Sequence, residues 1–555
     1  MRARHLLASL SITALTMGPV AFSQAATIVI INNDGAGEGF NDPTPVAPIG
    51  GNSGTTLGQQ RLNLFNHAAS LWGAMLDSPV TIQVRAQMNP QTCTPTSAVL
   101  GSAGPVTVHA SFPGAIVTGA WYHQALANKL TGSDLDGVNP DINTTFNSDV
   151  DNPTCLGTRN WYYGFDHNEG IHIDFLPVLM HELGHGLGFS TTTSSSTGNF
   201  ISGLPAIWDH YLMDKTSGLL WKDMSAVQRQ ASAINTGNLV WTGPAVRFKA
   251  PLVLVRAAQL SVSAPGGIAG TYEAGLASFG AALTDAGLSG QVVLVDDGLV
   301  PTGEGCESPF VNAGAVAGNI ALIDRGTCAF TLKVLNAQNA GAIGVIIANN
   351  TSGAAAPTGT DPAITIPVLG ISQADGNLLK ANLGAGVQAT LRLHPSQRAG
   401  THPDGEMRMF SPNPVQSGSS VSHFDVTSTP NLLMEPSINA DLTAAIDLTR
   451  ELFEDIGWYP ATTGVPTTAP GTIALAAGPN PAGRDVTVRF ALDRDATVEV
   501  SVLDVAGREV AKLHRGRLGA GPHVMAWDAR VAPGVYRVRL RADRAVSTRS
   551  IVRVD

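Results

Sequence analysis

The sequence predicts an α+β domain with a mixed sheet and a buried helix, interrupted by an inserted β-rich α/β module and followed by an all-β sandwich. Three observations support this division. A strand–helix–strand pattern occupies residues 27–84, a stretch rich in Gly, Ala, Val and Leu occupies 262–393, and short alternating strands follow residue 473. A chain of 555 residues is too long for one hydrophobic core, and roughly three or four domains are expected.

Composition and charge exclude several classes of protein. Hydrophobic residues make up 44% of the chain and charged residues 14%, with 60 glycines. These values suit loop-rich, β-containing globular domains and disfavour disorder or a coiled coil. The net charge of -10 and the pI near 5.7 give no electrostatic reason to expect nucleic acid or an anionic membrane as a partner.

Residues 1–25 have the pattern of a secretory signal peptide. Arg2 and Arg4 precede an apolar stretch that ends near Phe22, and Ser23 and Ala25 are the small residues of a cleavage site. An N-terminal membrane anchor is the alternative. It is disfavoured because the stretch falls short of the about 20 residues that a span needs. No later segment is long enough to cross a bilayer, so we predict a secreted, extracellular protein.

The first part of the α+β domain is predicted at residues 26–245. Residues 27–32 and 80–84 have strand patterns, and 57–75 has apolar residues at helical intervals. Residues 131–154 are dense in Asp, Asn and Gly. A Ca²⁺ loop using Asp134 and Asp136 is one interpretation, but the segment lacks the bidentate Glu of an EF-hand, and a polar surface loop is preferred.

The insertion at residues 262–393 carries a second set of motifs. Its centre, GNIALIDRG at 318–326, is followed by CAF, a helix-like KVLNAQNAGA and an apolar strand at 343–348. This segment resembles the protease-associated (PA) domain, a small module commonly inserted in secreted peptidases. The resemblance implies no catalytic residue, and we expect the module to select substrates or control their access.

The C-terminal part follows a Pro/Thr/Gly linker at residues 461–472. Residues 473–555 alternate apolar and polar positions between Gly-containing turns, which predicts a β-sandwich. The phrases LDVAGREV, LGAGPHVMAWD and APGVYRVRL resemble the immunoglobulin-like FlgD and secretion-tail modules of exported bacterial proteins. That resemblance implies a bacterial source. Three roles stay open for the module: a sorting signal that contacts secretion machinery, a tether to a cell surface, and a passive appendage.

Four cysteines are present: Cys93, Cys155, Cys306 and Cys328. An even count in an exported protein indicates disulfides, and four cysteines allow three pairings. The pairings Cys93–Cys155 and Cys306–Cys328 are favoured because each falls within one predicted domain. Since none has CxxC spacing, a thiolate zinc site is not expected.

The strongest chemical motif lies in DFLPVLMHELGHGLGF at residues 174–189. Asp174 is a candidate N-cap, and Pro177 falls in the first helical turn, where proline is tolerated. On a helix, His181 and His185 lie one turn apart on one face, where two imidazoles can bind a single Zn²⁺. Glu182 lies beside them, placed to take a proton from a zinc-activated water. For this motif alone, the alternative to a metal site is a purely structural role, in which the two histidines pack in a core.

The third ligand does not follow from the motif itself. Position 191 is Thr, where the compact HExxHxxGxxH pattern requires His. Downstream, SHFD at 422–425, NLLMEP at 431–436 and FEDIGWY at 453–459 resemble the leishmanolysin-like metzincins, whose third His follows an insertion and precedes a methionine turn. The resemblance implies His423 as third ligand and Met434 as the floor under the metal, with the domain completed by residues 400–460.

Alternatives to this ligand set remain open. His402, His210 and Asp425 are the other candidates for the third position. A Glu ligand on a following helix, as in gluzincins, is disfavoured because residues 190–245 contain no Glu. His123, His167 and His172 are interpreted as packed or surface histidines.

The sequence therefore predicts a secreted zinc endopeptidase acting on extracellular polypeptides. A secreted aminopeptidase is the nearest rival, because PA domains also occur in such enzymes. A surface adhesion protein with a degenerate metal site is the non-enzymatic rival. The presence of Glu182 argues against it, since a purely structural zinc needs no base.

Overall fold

A computed structural model describes residues 25–351, 353–437, 442, 444–459, 475–478, 482, 484–492, 495–504, 507–519, 521–543 and 545–553. The chain divides into two compact units, Met1–Trp458 and Tyr459–Asp555. Residues 1–24 of the predicted signal peptide and the whole predicted linker lie outside the described residues. Among the described helices, none combines the length and apolar character needed to cross a bilayer.

The first unit begins with a region of short strands and helices that precedes the insertion. Its described strands are β1 Ile28–Asn32, β2 Ile82–Asn89, β3 Gly101–Pro105, β4 Val108–Ala110, β5 Trp121–His123, β6 Ile142–Asn147, β7 Trp161–Tyr162, β8 Ile173–Asp174, β9 Leu212–Asp214, β10 Leu219–Leu220 and β11 Leu239–Trp241. Its described helices are α1 Leu57–Met75, α2 Gln124–Thr131, α3 Phe175–Leu187, α4 Ala226–Ser232 and α5 Pro244–Val253.

The main sheet of this region has the strand order β1-β2-β6-β3. The first three strands are parallel, and β3 pairs antiparallel with β6. Thr56 caps helix α1, since its side chain accepts a hydrogen bond from the Gln59 backbone N–H, and the helix buries Leu64, Phe65 and Trp72. The Trp72 indole donates to the Met180 carbonyl at 3.1 Å, so α1 is fixed directly against α3.

The interpretation of residues 131–154 as one polar surface loop is wrong for its second half. Ile142–Asn147 forms β6, the strand between β2 and β3. Ile142, Thr144 and Phe146 point to the buried face in strict alternation. The polar residues between them gave the segment its loop-like composition. A strand needs only every second residue on its buried face, so polar residues at the other positions do not prevent burial.

The insertion folds as a closed barrel with the strand order β12-β13-β17-β16-β15-β14-β18. Its described strands are β12 Arg256–Ala264, β13 Gly270–Leu276, β14 Leu288–Leu294, β15 Ile320–Asp324, β16 Gly344–Ala348, β17 Val368–Ile371 and β18 Gln388–Arg398, and its helices are α6 Ala313–Val316, α7 Phe330–Asn339 and α8 Gln373–Asn382. The first and last strands pair antiparallel, with Arg256 opposite Arg398. The barrel therefore leaves and rejoins the surrounding domain at adjacent points, and its long detour costs little loop-closure entropy.

After the barrel the chain returns to the region that it left. Strand β19 Met407–Arg408 pairs with β11, and helix α9 Thr449–Ile456 packs against α5. The Asp455 carboxylate of α9 accepts hydrogen bonds from the Trp241 indole at 3.0 Å and the Ala245 backbone N–H at 2.8 Å. The segments before and after the insertion thus share one core.

The second unit contains two antiparallel sheets. Its described strands are β20 Leu475–Gly478, β21 Asp485–Leu492, β22 Ala496–Leu503, β23 Glu509–Leu518, β24 Gly521–Asp528, β25 Gly534–Ala542 and β26 Ala545–Arg553. The strand orders are β20-β21-β24 and β23-β22-β25-β26. Residues of both sheets, including Val488, Phe490, Val500 and Val538, contribute to one buried apolar cluster.

Two disulfides, Cys93–Cys155 and Cys306–Cys328, are formed, and these are the pairings that the sequence favours. The first joins positions 62 residues apart and the second joins positions 22 residues apart. A longer loop restricts the unfolded chain more. We expect C93S/C155S to lower the free energy of unfolding of the first unit by about 4 kcal/mol and C306S/C328S by about 3 kcal/mol. Urea unfolding of both variants tests this, and unchanged midpoints in both would contradict it.

Candidate metal centre

Helix α3 carries two of the predicted metal ligands. The Asp174 carboxylate caps it by accepting a hydrogen bond from the Leu176 backbone N–H at 3.0 Å, and Gly188 ends it with a φ of 128°. Every residue of the helix is buried, as its nearly continuous apolar sequence requires. The helix therefore holds its side chains rigidly within the domain.

Three imidazoles meet at one point beside this helix. The Nε2 atoms of His181, His185 and His423 are each 3.1 Å from the other two. The three rings are buried, with exposed fractions of 6%, 8% and 4%. The structure thus brings His423 to the helical pair from 238 residues farther along the chain.

Each imidazole is oriented through its second nitrogen. His181 Nδ1 lies 2.7 Å from the Leu433 carbonyl, His185 Nδ1 lies 2.7 Å from the Phe189 carbonyl, and His423 Nδ1 lies 2.8 Å from the Ser419 carbonyl. A carbonyl oxygen can only accept, so each Nδ1 carries the proton and donates it. Each Nε2 is left with a lone pair, and the three lone pairs converge.

The electrostatic surroundings keep these rings neutral. Burial lowers the pKa of His181 to about 4 and that of His423 to about 3. Burial also lowers the pKa of His185 well below its ordinary value, and the neighbouring His423 lowers it further. At neutral pH all three imidazoles are therefore in the form that binds a metal ion.

The donor set and its spacing fit Zn²⁺. Bonds of about 2.0–2.1 Å at tetrahedral angles place nitrogen ligands about 3.3–3.4 Å apart, close to the observed 3.1 Å. Converging lone pairs repel one another unless a cation lies between them. Nitrogen ligands held by backbone carbonyls are a common second shell for zinc, and three such ligands leave a fourth position open.

Glu182 lies beside the three histidines and is also buried, with an exposed fraction of 9%. Burial raises the pKa of its carboxyl to about 8, and a hydrogen bond from the backbone of Ala103 lowers it. A nearby cation favours the charged form of a carboxyl group. The same side chain can therefore accept a proton and release it near neutral pH.

Met434 packs against α3 at Gly184, and its role as the floor under the metal stays a prediction. The side chain is fully buried, and a Cβ built on Gly184 would lie 2.7 Å from the Met434 sulfur. The Met434 carbonyl accepts a hydrogen bond from the Phe424 backbone N–H at 2.9 Å. This contact ties the turn around Met434 to the residue that follows His423.

The three histidines and Glu182 open into a cleft of about 1030 Å³. Strand β3, at the end of its sheet, forms one side of this cleft through Gly101, Ser102 and Ala103. Segments 190–196 and 417–423 contribute many of the other lining residues. The Asp209 carboxylate fixes the first of these segments by accepting hydrogen bonds from the hydroxyls of Thr191 at 2.7 Å and Thr193 at 2.5 Å.

In the described part of the chain, none of the other candidate ligands joins the helical pair in a cluster of three potential ligands. His402 groups with Asp404 and Glu406, whose carboxylates are 2.8 and 3.2 Å from the Lys215 ammonium. Asp425 accepts hydrogen bonds from Thr427 instead. Within the residues that the structure describes, the buried Nε2 of His210 has no hydrogen-bond partner.

The remaining predicted residues also have structural partners. His167 Nδ1 lies 2.5 Å from the Asp174 carboxylate, His172 accepts from the Asn160 backbone N–H, and His123 contacts the Ser190 hydroxyl. In the loop considered for Ca²⁺, Asp134 accepts from the Asp136 backbone N–H. Neither aspartate belongs to a cluster of three potential ligands in the described part of the chain, and the Ca²⁺ site stays a prediction.

Sequence reasoning missed the groups that orient the ligands. The carbonyls of Phe189, Ser419 and Leu433 belong to the backbone, which has no sequence signature. Asp209 was also missed, because nothing in the sequence indicates that it contacts Thr191 and Thr193. Thr191 occupies the position of the missing histidine, and its hydroxyl serves to hold the cleft wall.

Comparison with known protein families identifies two modules. Residues 288–379 match the PA domain, and residues 480–545 match the FlgD Ig-like domain. The resemblance to the PA domain and the resemblance to the FlgD module are therefore confirmed, and the resemblance to secretion-tail modules stays a prediction. Neither match includes α3 or His423, so the metzincin resemblance stays a prediction.

Several curated proteins are similar to parts of the chain. Vacuolar-sorting receptor 1 of Pisum sativum is 31% identical over 159 residues, covering 26% of this chain and 25% of the receptor. Minor extracellular protease Vpr of Bacillus subtilis (strain 168) is 35% identical over 103 residues, covering 18% and 12%. Leucine aminopeptidase 2 of Arthroderma otae is 42% identical over 84 residues, covering 15% and 17%. The chain spans about a quarter of the length of the vacuolar-sorting receptors it matches.

Among solved structures, the zinc aminopeptidase BSAP from Bacillus subtilis is similar at 25% sequence identity. The similarity covers 31% of this chain and 39% of that chain, with a TM-score of 0.20.

Proposed function

We propose that this chain is a zinc-dependent peptidase with a metzincin-like catalytic domain built from residues 26–245 and 400–460. The observation that carries the proposal is the convergence of three neutral, buried imidazole nitrogens with 3.1 Å between each pair. His181, His185 and His423 would hold one Zn²⁺ ion. When bound, zinc supplies a Lewis acid that polarises a carbonyl and activates a water molecule.

Glu182 is the proton carrier in this proposal. Its carboxylate accepts a proton from the attacking water, and the resulting carboxylic acid donates the proton to the departing amine. Such a group works best when its pKa lies near the operating pH. Burial raises the pKa of Glu182, which favours the second step, and a cation nearby favours the first.

Strand β3 offers a place for an extended substrate. It pairs on one side with β6 and is the last strand of its sheet, while Gly101, Ser102 and Ala103 line the cleft. An extended peptide can add to a free sheet edge through backbone hydrogen bonds. This mode of binding does not require the N- or C-terminus of the substrate, so it suits cleavage within a polypeptide.

The charges that line the cleft also favour endopeptidase activity. An aminopeptidase needs a carboxylate to pair with the substrate's α-ammonium group. Among the described lining residues, the carboxylates are Glu182 and Glu435. Glu435 is 1% exposed and accepts a hydrogen bond from the Leu432 backbone N–H, so neither carboxylate is placed for that pairing.

A peptide assay distinguishes the two activities. We expect an internally quenched peptide with an acetylated N-terminus to be cleaved at an internal bond, with kcat/KM within about threefold of the unblocked peptide, because an exposed ammonium group contributes little without a partner. Mass spectrometry of the products locates the bond. Release of single residues from the free N-terminus, with no cleavage of the blocked peptide, would establish an aminopeptidase.

The remaining modules support an exported enzyme. The signal-peptide pattern at residues 1–25 and the two disulfides suit an oxidising, extracellular compartment. The PA domain would select substrates or control access. The C-terminal FlgD Ig-like module, interpreted as a β-sandwich, would contact secretion machinery or a cell surface.

A further inference from the structure

Charge is distributed unevenly along this acidic chain. The whole chain has 33 Lys and Arg against 43 Asp and Glu. Its last 83 residues reverse the balance, with 14 Lys and Arg against 9 Asp and Glu. The C-terminal unit is therefore positively charged, and this charge plays no part in the proposed peptidase chemistry.

The positive charge is concentrated on one face of the sheet β23-β22-β25-β26. In β25, Tyr536, Val538, Leu540 and Ala542 enter the core, so Arg537, Arg539 and Arg541 point to the opposite face. The strand pairing places cations of β23 on that same face, because Lys512 lies opposite Ser501, Arg515 opposite Glu499 and Arg517 opposite Thr497. We call this surface the arginine face, and its cations are Lys512, Arg515, Arg517, Arg537, Arg539 and Arg541.

Few acidic groups neutralise the arginine face. Glu499 lies 3.9 Å from Arg515, Asp495 lies 3.8 Å from Arg517, and Glu509 lies 3.2 Å from Lys512. Arg539 donates a hydrogen bond to the Ser501 hydroxyl. Within the described residues, Arg537 and Arg541 form no ion pair and are exposed. Glu499 lies opposite Arg541 in the strand pairing, and Arg539 is half-buried between its two exposed neighbours. The row of Arg537, Arg539 and Arg541, with about 7 Å between successive residues, therefore carries three positive charges and faces one carboxylate across this strand pair.

We infer that the arginine face binds an anionic polysaccharide that carries regularly spaced carboxylates. Arginine binds carboxylates through two parallel hydrogen bonds, and a row of arginines fits a linear polymer with repeated charges. Exposed hydroxyls of Thr497 and Thr548 lie on the same face, and they suit the hydroxyl groups of sugars. This interaction would hold the enzyme at a polysaccharide-coated surface.

The composition of the face disfavours single-stranded nucleic acid as its partner. Proteins that bind single-stranded nucleic acid combine cations with aromatic side chains on which bases stack. In the described strands, the residues of this face that surround the cations are Thr, Ser, Glu, Leu and Val, and none is aromatic. The cations alone provide charge without base recognition.

Binding of the full-length protein to immobilised alginate, a polymer of uronic acids, tests the inference. The face variant is R515Q/R537Q/R541Q, which removes three exposed charges and retains side-chain length. The control is R484Q/R508Q/R530Q, which removes three exposed arginines of the same unit that lie in ion pairs with Asp528 or Asp504. Neutral dextran, single-stranded DNA and poly-glutamate serve as comparison ligands.

We expect the face variant to bind alginate about tenfold more weakly than the wild type, and the control variant to bind within about twofold of it. Binding is expected to weaken as salt rises, because added ions screen exposed charges, and neutral dextran is expected not to bind. Equal losses in the two variants would contradict the inference. Tighter binding of DNA or poly-glutamate than of alginate would contradict the choice of polysaccharide. Peptidase activity is expected to be the same in all three proteins.

Discussion

The variant Glu182→Ala is expected to lower kcat by about 10²–10⁴-fold while the protein still binds one zinc ion. Glu182 does not contribute to the nitrogen triangle, whose atoms come from His181, His185 and His423. Removing it eliminates the proton carrier and leaves the ligands in place. The measurements are steady-state kinetics on the blocked peptide and zinc content by atomic absorption.

Thermal unfolding and the isosteric variant Glu182→Gln serve as controls for this prediction. Burial raises the pKa of Glu182 because its charged form is poorly solvated. Loss of this carboxyl therefore gives no reason to expect a lower melting temperature. The amide retains the shape of the side chain but cannot take up a proton, so we expect Glu182→Gln to be as inactive as Glu182→Ala. An unchanged kcat in either variant would remove Glu182 from the mechanism.

The variant His423→Ala is expected to have the second large effect, in which zinc and activity are lost together. Two imidazoles on a helix bind zinc far more weakly than three, and loss of even a second-shell partner typically weakens binding by about 10–100-fold. We therefore expect at least about 100-fold weaker zinc affinity and no measurable hydrolysis at equimolar zinc. Competition with a chromogenic chelator measures the affinity.

His402→Ala is the matched control for this prediction. His402 lies in the same segment after the barrel and was a candidate for the third position, but it groups with Asp404 and Glu406. We expect its loss to leave zinc affinity and turnover within about twofold of the wild type, because its ring does not belong to the nitrogen triangle. If His402→Ala removed the zinc and His423→Ala retained it, the ligand assignment would have to change.

Local sequence patterns predicted the elements that carry the helical pair. Helix α1 has the predicted limits, Leu57–Met75, because its apolar spacing continues over five turns. Asp174 caps α3 as expected, since the N-cap interaction involves neighbouring residues. Strand β6 was missed because its exposed positions are polar, and its burial depends on the strands at its sides.

Long-range features could not be derived from local patterns. His423 was identified through a family resemblance. It reaches the helical pair only because the barrel begins and ends at adjacent points, and nothing in the sequence near position 423 indicates this. The pairing of Arg256 with Arg398 makes this approach physically reasonable. No sequence motif indicates that the carbonyls of Leu433, Phe189 and Ser419 orient the imidazoles. The alternation RVRLR at 537–541 lies in the segment predicted to form a β-sandwich, but its neighbours on β23 emerged only from the strand pairing.

The most direct test of the metal site is zinc X-ray absorption spectroscopy on the full-length protein loaded with one equivalent of zinc. We expect a four-coordinate site with three imidazole nitrogens at about 2.0–2.1 Å and one further light ligand. The same measurement on His423→Ala should show one imidazole fewer. A wild-type spectrum with only two imidazoles, or one that the His423 substitution leaves unchanged, would contradict the proposed site.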